Sequence, residues 1–461
     1  MKRRFTTLMT TLLLSVMFAV SASAYDVEVD GIYYNLLKKA KQAEVVGASK
    51  KLKNVIIPDV ITYEDTEFKV VSLGYLALVG LDNVETIKLG NNIEEIGAGV
   101  FQYLKIKSIN IPHSVKKIDV SAFDYCETLE SVYIEDLTSW CNINFLNAKS
   151  NPMCSATKLY CNNELVKNLS IPDDVTKIGN YAFANATCIE SVNISDNVTE
   201  IGNNAFYCCS NLTDVNFSSN LETIGESAFS DCTNIQSIEI PDKVNTIELY
   251  AFYGCEKLES VKMPQNLEVL KRGSFARCAS LKSISITGPI KEIGEQAFYY
   301  CTSLTTVSIP NTITTLGSFC FQDCKELTKF ICYAETTPNL GGYGYPFKDA
   351  YIEYATLYVP RKSIDLYKGH GVWNKFGNIL AIEDLESGIK PIKDRDIAIQ
   401  SIGGFITLSG LAPNEQVIFY ATDGKELGTV KAIDGTAQFA AQSGTIVVAK
   451  IGKESVKIAI K

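Results

Sequence analysis

Histidine is almost absent from this chain, which has only His113 and His370 among its 461 residues. His113 stands beside a proline and His370 lies in a Gly-His-Gly segment, so neither belongs to a nucleophile motif. Acidic residues are common, but repeating units scatter them over a face and do not oppose two across a cleft, as glycoside hydrolysis requires. The sequence therefore predicts a protein that is not an enzyme and needs no cofactor.

Basic residues are neither abundant nor clustered. The chain has 43 Lys and Arg against 52 Asp and Glu, a net charge of -9. Because nucleic acids are bound through clustered Lys and Arg, we expect no nucleic-acid partner. No apolar run after Ala24 is long enough to span a bilayer, so we expect no transmembrane segment in the mature chain.

Residues 1–24 have the pattern of a secretory signal peptide. Three basic residues, Lys2 to Arg4, precede a mainly apolar stretch from Phe5 to Val20. Small residues at 22–24 offer a cleavage site, which predicts a mature chain that begins at Tyr25. The alternative is a retained membrane anchor, for which the apolar stretch is short and interrupted by Thr and Ser.

An aromatic residue recurs at a fixed spacing along most of the chain. Seven phenylalanines follow one another at a constant interval, one every 23 positions: Phe183, Phe206, Phe229, Phe252, Phe275, Phe298 and Phe321. Earlier copies stand at Phe123 and Phe101, and Leu78 holds the equivalent position before them. Self-similarity at such a period predicts a repeat solenoid that starts near residue 70.

One regular unit, residues 244–264, shows what the spacing preserves. Leu258 and Val261 belong to a Leu-x-x-Leu-x-Leu segment, which predicts a short strand whose alternate side chains point inward. Phe252 and Cys255 are three positions apart, which suits one face of a single helical or 3₁₀ turn. A unit this small cannot bury its own apolar face, so successive units are expected to stack into one continuous core.

Glycine recurs four positions before the repeated phenylalanine. It stands there as Gly179, Gly202, Gly225, Gly294 and Gly317. We expect a positive φ there, a conformation that glycine adopts at no steric cost.

Fourteen cysteines in an exported chain suggest a disulfide framework. Seven of them instead stand three positions after the repeated phenylalanine: Cys126, Cys209, Cys232, Cys255, Cys278, Cys301 and Cys324. A small apolar core position explains this column without any bond, and parallel side-chain directions on successive rungs hinder bridging. We expect free buried thiols, with disulfides as the alternative. A zinc site is not expected, because each rung offers one ligand.

Residues 171–183 read Ile-Pro-Asp-Asp-Val-Thr-Lys-Ile-Gly-Asn-Tyr-Ala-Phe. Together with the 23-residue period and the cysteine column, this segment resembles the BspA-like leucine-rich repeat family of bacterial surface proteins, over most of residues 70–380. The resemblance implies a right-handed leucine-rich-repeat stack of short strands and turns. It also implies export to the surface of a Bacteroidetes-type cell and adhesion to other cells or host proteins. It identifies no ligand.

The pattern divides the chain into consecutive segments. These are a signal peptide (1–24), an N-terminal β cap (25–71), the leucine-rich-repeat solenoid (72–335) with an irregular unit (124–182), a C-terminal cap (336–382), a linker (383–396) and a small all-β sandwich (397–461). The sandwich resembles the C-terminal sorting domains of exported Bacteroidetes proteins, which implies a role in export or in retention at the outer surface.

The outward side chains of the leucine-type strands form the candidate binding face. Together with Trp140 of the irregular unit, it comprises Tyr133, Trp140, Asn193, Asn216, Glu239, Lys262, Ser285 and Ser308. Tyr133 and Trp140 are the first candidates for contact, since binding hot spots favour aromatic residues. Core packing is the alternative for these two residues, and simple solubility of the strand face is the alternative for the row.

Two functions remain open from the sequence. The first is a monomeric adhesion or recognition module for a protein or glycan of a host or neighbouring cell. The second is a structural component of the cell envelope without a discrete ligand.

Overall fold

A computed structural model describes residues 25–342, 345–386, 397–421, 424–442, 445–452 and 454–459. The predicted signal peptide and most of the predicted linker lie outside the described residues. The contacts among the described residues divide the chain into two compact units: one runs from Tyr25 to Leu281 and includes Gln296–Cys301, and the other contains Lys282–Glu295 and the described residues from Thr302 onward.

The first unit begins with six strands in the region assigned to the N-terminal cap. They are β1 (Val27–Val29), β2 (Ile32–Leu37), β3 (Gln42–Ala48), β4 (Asn54–Ile56), β5 (Val60–Tyr63) and β6 (Thr66–Leu73). Strands β1, β2 and β3 pair antiparallel, as β5 does with β6, whereas β3 pairs with β6 in parallel. Parallel pairing continues from β6 onward, so the chain passes here from hairpins to stacked rungs.

The rest of the first unit alternates strands of three or four residues with strands of two. They are β7 (Thr86–Lys88), β8 (Glu95–Ile96), β9 (Ser108–Ile111), β10 (Lys117–Ile118), β11 (Ser131–Ile134), β12 (Asn144–Phe145), β13 (Lys158–Cys161), β14 (Glu164–Leu165), β15 (Asn168–Ser170), β16 (Lys177–Ile178), β17 (Ser191–Asn193), β18 (Glu200–Ile201), β19 (Asp214–Asn216), β20 (Thr223–Ile224), β21 (Ser237–Glu239), β22 (Thr246–Ile247), β23 (Ser260–Lys262) and β24 (Val269–Leu270). In the irregular unit lie helix α1 (Leu137–Cys141) and a 3₁₀ turn (Pro152–Cys154).

These strands form two parallel ladders. The longer strands pair in the sets β4-β7, β9-β11-β13, β15-β17-β19 and β21-β23, which we call the long-strand ladder. The two-residue strands pair in the sets β8-β10-β12, which the end of the longer β6 extends, and β16-β18-β20-β22; we call these the short-strand ladder. Strand β14 is an exception, because it turns back antiparallel on β13. The predicted repeat solenoid of short strands with little helix is confirmed.

A third ladder joins the turns that carry the repeated Ala-Phe pair. The Phe206 amide donates to the Ala228 carbonyl of the next rung at 2.8 Å, and the Phe229 amide donates to Ala251 at 2.8 Å. We call this the turn ladder. Each rung thus has three sides bonded to its neighbours, which satisfies backbone groups that burial would otherwise leave unpaired.

The repeated phenylalanines form a continuous stack inside the first unit. Successive ring centroids from Phe183 to Phe298 lie 5.1 to 5.8 Å apart, with ring planes within 14° of parallel. Every one of these rings is fully buried. Truncation of such a ring in a close-packed core costs about 3–5 kcal/mol, so the stack is a main contributor to stability.

The cysteine column is made of free thiols, as predicted, and six of its thiols donate to a backbone carbonyl of the preceding rung. The Cys232 thiol donates to the Phe206 carbonyl of the preceding rung at 3.1 Å, and that carbonyl also accepts the Cys209 amide within its own rung at 3.2 Å. The same thiol contact recurs at Cys126, Cys209, Cys255, Cys278 and Cys301, at 3.0 to 3.3 Å. Burial raises the pKa of these thiols.

The recurring glycines have a different cause from the one the sequence suggested. Gly179, Gly202, Gly225 and Gly317 do not have positive φ. A Cβ at Gly225 would lie 2.6 Å from the Gly202 carbonyl carbon, so close approach of backbones excludes any side chain. Positive φ occurs instead two positions before and two positions after the phenylalanine, as at Tyr250 (56°). The expectation for the glycine column was therefore wrong.

The second unit continues the same pattern. Its strands are β25 (Ser283–Ser285), β26 (Glu292–Ile293), β27 (Thr306–Ile309), β28 (Thr315–Leu316), β29 (Lys329–Cys332), β30 (Asn339–Leu340), β31 (Thr356–Val359) and β32 (Asn378–Ala381), with helices α2 (Ile364–Gly369) and α3 (Ile382–Glu386) and 3₁₀ turns at Ile352–Tyr354, Arg361–Ser363 and Trp373–Lys375. The long strands pair in parallel in the order β25-β27-β29-β31-β32 and the short ones in the order β26-β28-β30. The rings of Phe330, Phe347, Trp373 and Phe376 pack together near the end of this ladder.

The C-terminal region is a small antiparallel sandwich, as predicted. Its strands are β33 (Ala398–Ile402), β34 (Phe405–Ser409), β35 (Gln416–Ala421), β36 (Glu426–Lys431), β37 (Thr436–Ala440), β38 (Ile446–Ile451) and β39 (Glu454–Ala459). They form one sheet in the order β33-β34-β37 and a second in the order β36-β35-β38-β39. Phe419 of one sheet stacks on Phe439 of the other, with ring centroids 4.2 Å apart.

Candidate functional site

The long-strand ladder points alternate side chains outward, as the candidate face requires. In β17, Val192 is buried in the core while Asn193 is exposed. In β19, Val215 is half-buried and Asn216 is exposed, in register with Asn193. Parallel pairing without a shift places equivalent positions of successive rungs side by side, about 4.8 Å apart. The row of side chains that the sequence predicted is therefore contiguous within each set of paired strands.

Tyr133 lies in this row and has an aromatic neighbour that the sequence analysis did not select. Its ring stacks on Tyr160 of β13, with centroids 4.8 Å apart and planes 12° from parallel. Tyr133 is in register with Tyr160 on one side and with Asn110 on the other. The alternation of Leu159 and Tyr160 was the available signal, but the irregular spacing of this unit concealed the register.

Trp140 does not belong to the candidate face. It is 1% exposed, and its indole nitrogen donates to the Ala182 carbonyl at 2.8 Å. The ring packs edge-on against Phe145 at 5.3 Å, and Asp136 caps the short helix that carries Trp140. The expectation of a surface contact at Trp140 is corrected, because this residue fills the core of the irregular unit.

Asn193 and Asn216 form part of a polar network on the face. The Asn216 side-chain amide donates to the Asn193 side-chain oxygen at 2.5 Å, and the Ser191 hydroxyl donates to Asn168 at 2.8 Å. These bonds between rungs fix side chains that are otherwise free to rotate. A partner that binds this row therefore meets an ordered array of amides and hydroxyls, which lowers the entropy cost of binding.

Glu239 and Lys262 pair across neighbouring strands of the same face, with 3.5 Å between the carboxylate and the ammonium. Their side chains are 81% and 63% exposed, so the pair contributes little to stability. Together with Asn216 and Phe217, they line a cleft of about 500 Å³ in the first unit.

Ser285 and Ser308 belong to the second unit. They lie in register on β25 and β27 and line a cleft of about 510 Å³ with Tyr333 and Glu335. The predicted face residues of the second unit, like those of the first, therefore form neighbouring polar positions on paired strands.

The two histidines occupy surface positions without a catalytic arrangement. His113 pairs with the carboxylate of Glu135, and the His370 ring nitrogen accepts the Val372 amide at 3.3 Å. Within the described segments, no three His, Cys, Asp or Glu side chains are grouped to hold a metal ion. In the same segments, no helix has the length and hydropathy needed to cross a bilayer.

A sequence profile described as "BspA type Leucine rich repeat region" matches the chain in six copies, over residues 48–151, 156–281 and 228–345. None of the curated proteins matches the chain. Among solved structures, a leucine-rich repeat protein of Bacteroides ovatus is 25% identical, with a TM-score of 0.47 over 77% of this chain and 100% of that chain. A leucine-rich cell-surface protein of Faecalibacterium prausnitzii is 18% identical, with a TM-score of 0.34 over 70% and 96%. The pneumococcal vaccine antigen PcpA is 16% identical, with a TM-score of 0.36 over 77% and 98%.

Proposed function

This chain belongs to the BspA-type leucine-rich repeat family, and from that premise we propose that it is an exported cell-surface recognition module that binds a protein partner through its long-strand face. The repeats form the scaffold, and the outward residues of the ladder carry specificity. Extended faces of this kind are the usual binding surfaces of solenoids.

The stacked pair of Tyr133 and Tyr160 is the observation that carries the proposal. Tyrosine contributes a large, rigid contact area at low entropy cost, and Asn110 lies in register beside Tyr133. Neither ring is needed to fill the core, because Val132 and Leu159 occupy the inward positions of the same strands. Two aromatic rings kept on an outward face therefore support a binding role over simple solubility.

The test is capture of purified matrix and serum proteins on an array by the mature chain. We expect capture of at least one protein, and the double variant Tyr133→Ala with Tyr160→Ala should weaken it about tenfold or more. The matched control removes Tyr103 and Tyr125, which form another stacked pair at 4.8 Å but lie on turns and not on the long-strand face.

Each outcome of the array decides between the two functions left open by the sequence. Loss of capture in the first double variant and retention in the control would support recognition through the strand face. Equal capture by both variants would reject the face. No capture of any protein, combined with surface labelling of the chain on intact cells, would favour a structural role in the envelope.

We propose further that residues 1–24 direct export and that the C-terminal sandwich retains the chain outside the cell. Support comes from the basic, apolar and small-residue order of the first segment and from the separate core of the sandwich. Amino-terminal sequencing of the exported protein should give Tyr25 as the first residue. Deletion of residues 397–461 should release the solenoid into the medium, and unchanged surface retention would contradict that role.

A further inference from the structure

A cleft of about 460 Å³ opens on the turn ladder of the first unit, on a different side of the rungs from the proposed strand face. Four tyrosines line it: Tyr207, Tyr250, Tyr253 and Tyr299. All four rings are partly exposed, although the core beside them is already filled by the phenylalanine stack. Packing of the core therefore does not account for these side chains.

The cleft arises from an alternation with a period of two rungs. The residue directly after the repeated phenylalanine is Tyr207, Ser230, Tyr253, Ala276 and Tyr299 in successive rungs. Tyrosines thus recur every second rung, about 10 Å apart, with a small residue between them. One further ring fits between two such tyrosines, since contacts to each need only about 3.5–4.0 Å.

Tyr250, which stands two positions before Phe252, also lines the cleft. A Cβ at Gly273 would lie 2.3 Å from its ring, so this tyrosine lies flat over a position that has no side chain. Tyr250 meets Tyr253 edge-on, at 5.9 Å and 82°. The guanidinium groups of Arg272 and Arg277 lie 5.9 and 5.8 Å from the centres of these two rings. Aromatic side chains that are packed in this way are already ordered before a ligand arrives.

The polar lining is mixed and carries one carboxylate. The Ser230 hydroxyl donates to Asp231 at 3.1 Å, and Gln296 accepts from Arg272 at 3.2 Å. A Cβ at Gly254 would lie 2.4 Å from the Asp231 carboxylate, which therefore extends across the next rung. A carboxylate accepts several hydrogen bonds and an amide both donates and accepts, so these groups can pair with adjacent hydroxyls.

Sugar rings match this combination of groups. The C–H face of a pyranose packs on the electron-rich face of an aromatic ring, and its equatorial hydroxyls need donors and acceptors at the edge. Asp231 is the charged residue that lines the cleft, which disfavours an anionic ligand there. An apolar ligand would remove water from Asp231 and Gln296 and could not satisfy the hydrogen-bonding capacity that their protein partners leave open. The volume lies in the range of small-ligand sites.

We propose that the tyrosine cleft binds a neutral oligosaccharide, with pyranose rings stacked beside Tyr207, Tyr253 and Tyr299 and with hydroxyls paired to Asp231 and Gln296. This site is independent of the protein-binding face, because it uses the turn ladder and none of the residues of the long-strand ladder.

The test is titration calorimetry of the mature chain with neutral hexasaccharides of glucose, mannose and N-acetylglucosamine, with hexamers of galacturonic acid as the charged comparison. We expect saturable binding of at least one neutral hexamer and none of the acidic one. Tyr253→Ala should weaken binding about tenfold, which is the loss of affinity expected when one aromatic contact is removed. Tyr253→Phe keeps the stacking surface and should remain within about threefold.

A second variant fills the cleft without removing a core group. Ala276 is buried, but the equivalent Tyr253 and Tyr299 keep their rings partly exposed at the same backbone position. Ala276→Tyr should therefore turn its ring into the cleft and abolish binding, while a cooperative melting transition shows that the chain is folded. The double variant of Tyr133 and Tyr160 is the matched control and should bind the sugar normally. Absence of binding to all neutral hexamers, preference for the acidic hexamer, or full binding by Ala276→Tyr would overturn the proposal.

Discussion

Truncation of one ring in the phenylalanine stack should weaken the solenoid locally. Phe252 is fully buried, and its ring lies 5.5 Å from that of Phe229 and 5.2 Å from that of Phe275. Phe252→Ala leaves a cavity between two rings that cannot close without moving the three ladders that join these rungs. The expected cost is about 3–5 kcal/mol. Since each rung contacts only its neighbours, this cost falls mainly on the rungs next to residue 252.

The cysteine column supplies a probe of each rung. The Cys255 thiol is buried and burial raises its pKa, so it reacts with an alkylating reagent only when its rung opens. A loss of about 3–5 kcal/mol increases the open population, and hence the alkylation rate, by roughly 150-fold to 5,000-fold. Cys232 and Cys278 should respond in the same direction, whereas Cys126 in a distant rung should keep its rate.

Alkylation followed by proteolysis and mass spectrometry measures every thiol in one experiment. The surface variant Tyr125→Ala is the control, since it removes an aromatic ring without opening the core, and its rates should match those of the parent. Equal acceleration of Cys126 and Cys255 in Phe252→Ala would refute local opening and indicate one cooperative unit. Unchanged rates at Cys255 would refute the expected cost of about 3–5 kcal/mol for loss of the Phe252 ring.

Three further predictions concern stability. A reducing agent should leave the melting temperature unchanged, and denatured, unreduced protein should show fourteen titratable thiols, because all the cysteines are free. Gly225→Ala should destabilise the chain by about 2 kcal/mol or more, since its Cβ would meet backbone at 2.6 Å, whereas Gly369→Ala, with open space around it, should stay within about 0.5 kcal/mol by chemical denaturation. Tyr34 has a buried hydroxyl without a hydrogen-bond partner in the described residues, so Tyr34→Phe should be neutral or stabilising by about 1 kcal/mol at pH 8. Burial raises the pKa of Tyr34 to about 12, above its unfolded value of about 10, so the parent should lose stability as the pH rises from about 10 to 12 and Tyr34→Phe should lose less; equal losses in a pH series of melting curves would contradict this.

The sequence was sufficient for those features that recur in every rung. The fixed period of Phe and Cys predicted the stack, its buried faces and the free thiols, because one residue at one position has the same neighbours each time. Prediction from the sequence failed where a contact between neighbouring rungs determines which residue is tolerated. The close approach at Gly225 depends on the backbone of Gly202 in the preceding rung, and no local pattern distinguishes that contact from a positive φ.

The site was harder to predict than the scaffold for a related reason. Outward positions such as Asn193 and Asn216 follow from strand alternation, so their place on the face was available from the sequence. Tyr160 and the tyrosine cleft were missed, because they depend on register between units with irregular spacing or on residues two rungs apart. Trp140 was a contact candidate because binding hot spots favour aromatic residues, with core packing as the alternative, and its indole donates to the Ala182 carbonyl inside the core.

The three ladders also explain how such a chain can present two separate candidate surfaces, the strand face and the tyrosine cleft proposed above. Each rung is fixed by backbone bonds on three sides and by Phe and Cys inside, so side chains on the outward face and on the turns contribute little to the fold. Substitution there changes a surface without moving the scaffold. The alternation of Tyr253 with Ala276 illustrates this freedom, since both residues occupy the same backbone position and both neighbouring rungs keep the amide-to-carbonyl bond of the turn ladder. A ligand that spans several rungs is then recognised by residues that are far apart in sequence, such as Tyr253 and Tyr299, but equivalent in the repeat.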